Sequence, residues 1–189
     1  MTKTNNSSID LSTVRRMVHL DFHLNDWVEN VCVGFNPRKT ASELKRAGAQ
    51  IVSIFAKDVY GHCFYPSHHC DMHPNLKTDY VGKMTDALKK EGIYVLLYFS
   101  AVYDAKGSKE FNDCLWMRTP TEPSWGGWMN ERGTELCFNS PYSKKRVFPQ
   151  LEELAKGYPI DGFWLDMVSW QAYEPCYCQY CETEFEKFS

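Results

Sequence analysis

The sequence predicts an α/β fold, a partial (β/α)8 TIM barrel of about four βα units. Three observations predict it. Short apolar segments alternate with amphipathic ones, glycines or a Tyr-Pro breaker mark the joins, and each apolar segment ends in polar side chains. Strand and helix in strict alternation with short links means parallel strands joined by right-handed crossovers. At 189 residues a small open sheet fits as well, since a complete barrel takes about 200 to 250 residues or more. The polar strand ends decide for the barrel, because active sites of that architecture lie at the C-terminal face of the strands.

The first strand is expected over Val14–His23, where Val18, Leu20 and Phe22 alternate with His19, Asp21 and His23. Gln50–Lys57 is the second, rich in β-branched and apolar residues. Ile93–Ser100 is a nearly continuous apolar run, as in a strand buried on both faces. Ile160–Met167, after Tyr158-Pro159, is the fourth. A helix over Ala41–Ala47 stops at Gly48. A second over Leu76–Glu91 places Leu76, Tyr80, Met84, Ala87 and Leu88 at helical spacing and stops at Gly92. A third over Pro141–Lys156 contains Pro149, which kinks or restarts it, and a short helix over Cys181–Phe188 follows the last strand. Residues 1–13 read as a disordered polar tail, and 14–189 as one barrel half.

Composition narrows the function. The net charge is −3 with scattered basic residues, which gives no footprint for nucleic acid. No apolar run reaches the ~20 residues of a membrane span, and the N-terminus lacks the apolar core of a signal peptide, so the expected setting is cytoplasmic. Aromatic residues make up 15% of the chain, a load suited to stacking on flat ligand faces as well as to a large-residue core. Trp116, Trp125 and Trp128 fall in a long irregular segment, Tyr103–Glu135, where loops are usually functional.

Side-chain parity selects the site. Gly162, Trp164 and Asp166 share one side of the fourth strand, Tyr98 and Ser100 end the third, and Lys57 ends the second. An aspartate after Trp-Leu on a buried strand is costly to desolvate unless paired or functional, so Asp166 is the candidate catalytic residue. His23, near the mouth, is a candidate ligand contact, while His19 and Asp21 read as a buried pair beneath the site.

These motifs resemble a known family. Lys57 opens A-K-D-V-Y-G-H-C-F-Y-P-S, with Gly61, Tyr65 and Ser67 at the offsets of the second-strand motif of family 29 α-L-fucosidases. Gly92–Ser100 and Asp161–Asp166 resemble that family's third and fourth strands. His19–His23, the Tyr65–Leu76 run, Leu136-Cys137-x-Asn139-x-Pro141-Tyr142 and the trailing C-x-C-x-x-C are similar to the fucosidase-like hypothetical glycosyl hydrolases. The resemblance implies a retaining glycoside hydrolase. In it Asp166 attacks the anomeric carbon, and His23, Lys57, Tyr98 and Trp164 hold the sugar. It also implies an acid/base supplied from a C-terminal half beyond Ser189. Asp58 and Val59 stand where the fucosidases have paired histidines. Within the chain the second-carboxylate candidates are Asp58, Asp104 and Glu174.

Cys176, Cys178 and Cys181 offer three thiolates, one short of a closed tetrahedral zinc site. The fourth ligand is sought among Cys63, Cys70, His68, His69 and His73, while Cys32, Cys114 and Cys137 read as isolated buried thiols. Hydrolysis needs no cofactor; a structural zinc and reduced thiols that order the loop without a metal both stand open, while nothing nearby supplies the His/carboxylate set of a catalytic zinc. Two other classes remain open: a non-catalytic carbohydrate-binding partial barrel, and a zinc-stabilised structural domain. The expected partners are a carbohydrate, plus a second copy or a C-terminal half to cover the open sheet edges.

Overall fold

The computed structural model describes residues 10–123, 135–168 and 175–188. Four parallel strands form one sheet in the order β1-β2-β3-β4: β1 Met17–His19, β2 Ile51–Lys57, β3 Tyr94–Ser100 and β4 Gly162–Asp166. The helices are α1 Pro37–Arg46, α2 Tyr80–Lys90, α3 Gly107–Glu110, α4 Phe148–Gly157 and α5 Gln179–Glu186. Strand–helix alternation with every ladder parallel is the (β/α) barrel pattern expected from the sequence. Asp10 caps a single 3-10 turn, Leu11–Thr13, ahead of the first strand.

β1 is shorter than predicted. The ladder ends once the Leu20 N–H has met the Ser53 carbonyl (3.0 Å). The next segment leaves the sheet, and the Leu24 N–H is taken by the Asp58 carboxylate (3.0 Å). α1 starts earlier than predicted because Asn36 accepts from the Lys39 N–H and Pro37 supplies a preset first turn. α2 starts later, at Tyr80, because Asp79 caps it by accepting from the Gly82 N–H (2.8 Å). Leu76 still reaches the core, but from the loop. Gly48 and Gly92 close α1 and α2 at φ 79° and 68°, as their positions in the sequence indicated.

The third helical segment accommodates Pro149 without a break. Helical backbone runs on from Tyr142 through a π-turn, Ser143–Val147, into α4, and Pro149 follows directly after that wider turn. The outer face of the sheet, with Val52, Ile54, Val95, Leu97 and Phe99, packs on α2, which in turn packs on α1. No helix among the described residues is long and apolar enough to cross a membrane.

At the foot of β4, Asp161 receives the Lys89 ammonium (2.8 Å to each oxygen) and the Val95 N–H (2.7 Å). It thereby ties the start of β4 to α2 and β3. Next to it, a β-carbon on Gly162 would stand 3.2 Å from the Leu96 side chain, a tight contact that the leucine must yield to by a few tenths of an ångström.

Candidate active site

Register determines which side chains meet. His19 pairs with Ser53, Phe55 with Tyr98, Tyr98 with Trp164, and Ser100 with Asp166. In a parallel sheet, paired residues point to the same face. His19, Phe55, Tyr98, Trp164 and Asp166 therefore share the face opposite the helices. The rings confirm it by contact: Phe55 stacks on Tyr98 (4.0 Å, 15°) and His19 on Trp164 (5.0 Å, 22°). His19 also lies against Phe55 and Tyr98.

At the C-terminal end of this aromatic floor the Tyr98 hydroxyl donates to Asp166 Oδ2 (2.6 Å). Burial, reinforced by that carboxylate, pushes the Tyr98 phenol well above its usual range, so the hydroxyl remains a donor at any working pH. The chain leaves β4 at once through Met167, held in the left-handed region at φ 59°. Such a backbone is uncommon for a non-glycine residue.

His23 stands over the same floor, edge-on to Phe55 (5.0 Å) and Tyr98 (5.8 Å). Its Nδ1 accepts from the Val59 N–H (3.5 Å), and its Nε2 faces Asp21 Oδ1 (3.6 Å). The expected His19–Asp21 pair does not form. Asp21 is exposed and partners His23, while His19 is a stacked ring in the floor.

Lys57 requires a correction. Parity counted from Phe55 puts it on the floor, but the register shifts between the two, and Lys57 aligns with Phe99 on the helix side. One extra residue in a strand turns every later side chain over. The ammonium is fully buried, 3.1 Å from Asp104 Oδ2, 2.8 Å from the Ser100 carbonyl and 5.2 Å above the Phe99 ring. It does not face the space that Tyr98 and Asp166 face.

Asp104 and Asp58 are likewise committed elsewhere. Asp104 takes Lys57, the Arg146 Nε (3.2 Å), the Tyr142 hydroxyl (3.3 Å) and the Gly107 N–H (2.6 Å). Burial opposes its ionised form, but Lys57 and Arg146 outweigh burial and hold the carboxyl below the ordinary aspartate range. Asp58 accepts from the Leu24 and His62 N–H groups, both at 3.0 Å. Neither buried carboxylate has a free oxygen for proton transfer. Glu174, Trp125 and Trp128 lie outside the described residues. Trp116 is no exposed platform, since it is buried against Cys137, Cys176 and Cys178.

The cysteines differ from expectation. Cys63 and Cys70 are disulfide-bonded to each other, and His73 is held by the Asn75 N–H (3.2 Å) and the Asn25 carbonyl (3.0 Å). None of the three is the fourth member of the thiol cluster. That member is Cys137, read from the sequence as isolated. Its sulfur and those of Cys176, Cys178 and Cys181 all lie within 4.8 Å of one another. No local signal marks it, because Cys137 is placed by tertiary pairing: an antiparallel bridge joins Leu115 to Leu136, and the Cys137 N–H meets the Cys114 carbonyl (2.8 Å).

A cleft of about 720 Å³ beside Trp27, Cys32 and Asn75 and another of about 410 Å³ beside Ser67, His69 and Arg146 both lie away from Asp166.

The model of the hypothetical glycosyl hydrolase 6 family matches residues 36–167. The chain belongs to that family. Among solved structures it is similar to α-L-fucosidase isoenzyme 2 from Paenibacillus thiaminolyticus, with a TM-score of 0.79 and 27% identity over 93% of this chain and 26% of that one. A family 29 α-L-fucosidase from Bacteroides thetaiotaomicron is similar at 0.51 and 27% identity, over 71% of this chain and 27% of that one. The α-fucosidase of Thermotoga maritima shares the fold, at 0.55 and 21% identity, over 82% of this chain and 32% of that one. The chain thus spans about a quarter to a third of the length of these structures. No match is found among curated proteins.

Proposed function

We propose that the chain carries the nucleophile side of a retaining glycoside hydrolase centre, with Asp166 as the nucleophile. One observation carries this reading. Asp166 stands at the C-terminal end of β4 with Oδ2 taken by the Tyr98 hydroxyl, while Oδ1 makes no hydrogen bond among the described residues. One oxygen is oriented and the other is left to attack.

In the first step Oδ1 forms an ester bond to the anomeric carbon, and the aglycone leaves with a proton from a general acid. In the second step water cleaves that ester, with the same group now acting as base. Tyr98 holds the carboxylate, Trp164 presents a ring face to the sugar over His19, and His23, held by the Val59 N–H and Asp21, borders the sugar from β1's side. Lys57 acts from beneath the site, through Asp104 and the Ser100 carbonyl. The acid/base comes from beyond the described residues, since Asp58 and Asp104 are both occupied. The left-handed turn at Met167 suits a strand end whose carboxylate must be presented rather than capped. The names of the similar structures make α-L-fucosides the first substrates to try.

The test is hydrolysis of aryl α-L-fucosides and a panel of other aryl glycosides by the wild-type protein and Asp166→Gly. Loss of a nucleophile costs about 10³-fold or more in kcat, and added azide should restore turnover as a glycosyl azide. Unchanged hydrolysis by Asp166→Gly would remove Asp166 from the mechanism. Sugar binding without turnover by either protein would point to a carbohydrate-binding barrel instead.

A further inference from the structure

The four clustered cysteines are independent of the glycosidase reading. Cys176 and Cys178 lie just before α5, Cys178 is its N-cap residue and Cys181 falls in its first turn. Cys137 arrives from the segment between β3 and α4. Four sulfurs from two remote segments converge with all separations within 4.8 Å, and the Cys137–Cys181 pair is 3.4 Å apart. A tetrahedral zinc with Zn–S bonds of about 2.3 Å places its sulfurs about 3.8 Å apart. The observed cluster therefore needs only small adjustments to enclose the ion.

Two further features favour bound thiolates over packed thiols. The Met117 backbone N–H points at Cys176 Sγ (3.4 Å), and the Asn139 side-chain amide points at Cys181 Sγ (3.3 Å). Metal-bound thiolates receive such outer donors, which orient them and share their charge. Trp116, Met117 and Tyr180 pack around the sulfurs and shield them from water. A disulfide would need an S–S distance of about 2.05 Å. The same molecule forms one between Cys63 and Cys70 but none within the cluster.

We propose that Cys137, Cys176, Cys178 and Cys181 form a closed structural zinc site. With four thiolates and no open position, the metal supplies cross-linking rather than chemistry. It joins the segment that follows β4 to the segment that follows β3, so that the chain emerging from Asp166 is anchored soon after it leaves the sheet.

The experiment is elemental analysis of the purified protein, alkylation after denaturation without reductant, and cobalt exchange. The expected result is about one zinc per chain and alkylation of six cysteines, the number left free by the Cys63–Cys70 bond. Co²⁺ should then give the intense sulfur-to-cobalt charge-transfer bands of a tetrahedral thiolate site. Cys137→Ser should lose most of the zinc and most of that intensity, while Cys32→Ser, outside the cluster, should keep both. Should Cys137→Ser fold poorly, the wild-type protein decides through zinc released on titration with an organomercurial. Protein that takes up neither zinc nor cobalt would overturn the proposal, as would only two alkylated cysteines. Iron as the resident metal would overturn the assignment of zinc.

Discussion

Asp104→Asn keeps the shape of the side chain and removes its charge. Lys57 then remains fully buried beside the Ser100 carbonyl (2.8 Å) and the Phe99 ring but without the carboxylate charge it faced at 3.1 Å, whereas Arg146 retains Glu110 (2.8 Å). At an effective dielectric of about 20, ion pairs of 3.1 and 3.2 Å are each worth about 5 kcal/mol before desolvation. Removing one partner of a buried pair costs a net 3–5 kcal/mol or so. Burial already draws the Lys57 pKa down, and proton loss offers it partial relief, which puts the cost at about 3 kcal/mol. With a urea slope of roughly 2 kcal/mol per molar, the unfolding midpoint followed by tryptophan fluorescence should fall by about 1 to 2 M. The sign with pH follows from the lowered carboxyl. Its stabilisation is full above the ordinary aspartate value of about 3.9 and is lost as pH falls through the folded-state value. The gap between wild type and variant should therefore narrow below about pH 4. A midpoint shift under about 0.3 M at neutral pH would refute the argument that Asp104 is the counter-charge of Lys57.

Three further outcomes are expected. Gly61→Ala places a β-carbon 2.1 Å from Asp104 Oδ1 at a φ of 88°, so denaturation should show a loss of at least about 2 kcal/mol. A double-mutant cycle with Asp104→Asn should show coupling, since both changes disturb one contact. Tyr98→Phe removes the donor to Asp166 (2.6 Å); kcat should fall about ten- to a hundredfold. An unchanged kcat would mean that the Tyr98 hydroxyl does not hold the proposed nucleophile. Burial lowers the pKa of His73, so the unfolded chain binds its proton first. Stability should therefore decline as pH falls below about 6.5 towards the folded value, and His73→Gln should flatten that decline in urea midpoints measured against pH.

Much of this was legible locally. β2 and β3 fall within a residue of the predicted runs because continuous apolar strands leave little freedom of boundary. Parity along β4 correctly grouped Trp164 with Asp166, and their partners across the ladder followed. The same reasoning failed at Lys57, where one residue of bulge separates two readings that a sequence cannot tell apart. Asp104 looked like a candidate acid because its two cations are brought in from β2 and from the turn before α4. Cys137 looked solitary for a similar reason, since the bridge that delivers it is a contact between distant segments. Helix starts were missed where Asn36 and Asp79 cap, a signal present in the sequence but outweighed there by apolar spacing.

The clamp at the foot of β4 has a consequence for the other end of that strand. From Asp161 to Asp166 the strand advances about 17 Å, and nothing along an edge strand by itself prevents it from sliding against β3. A slide of one residue would turn the Asp166 carboxylate away from Tyr98 and bring Leu165 into its place. The Asp161 carboxylate, bound to the Val95 N–H and the Lys89 ammonium, acts as the index mark that fixes this alignment. Two aspartates of one short motif thus divide the strand between them, the first setting where it sits and the second standing opposite Tyr98 because of it.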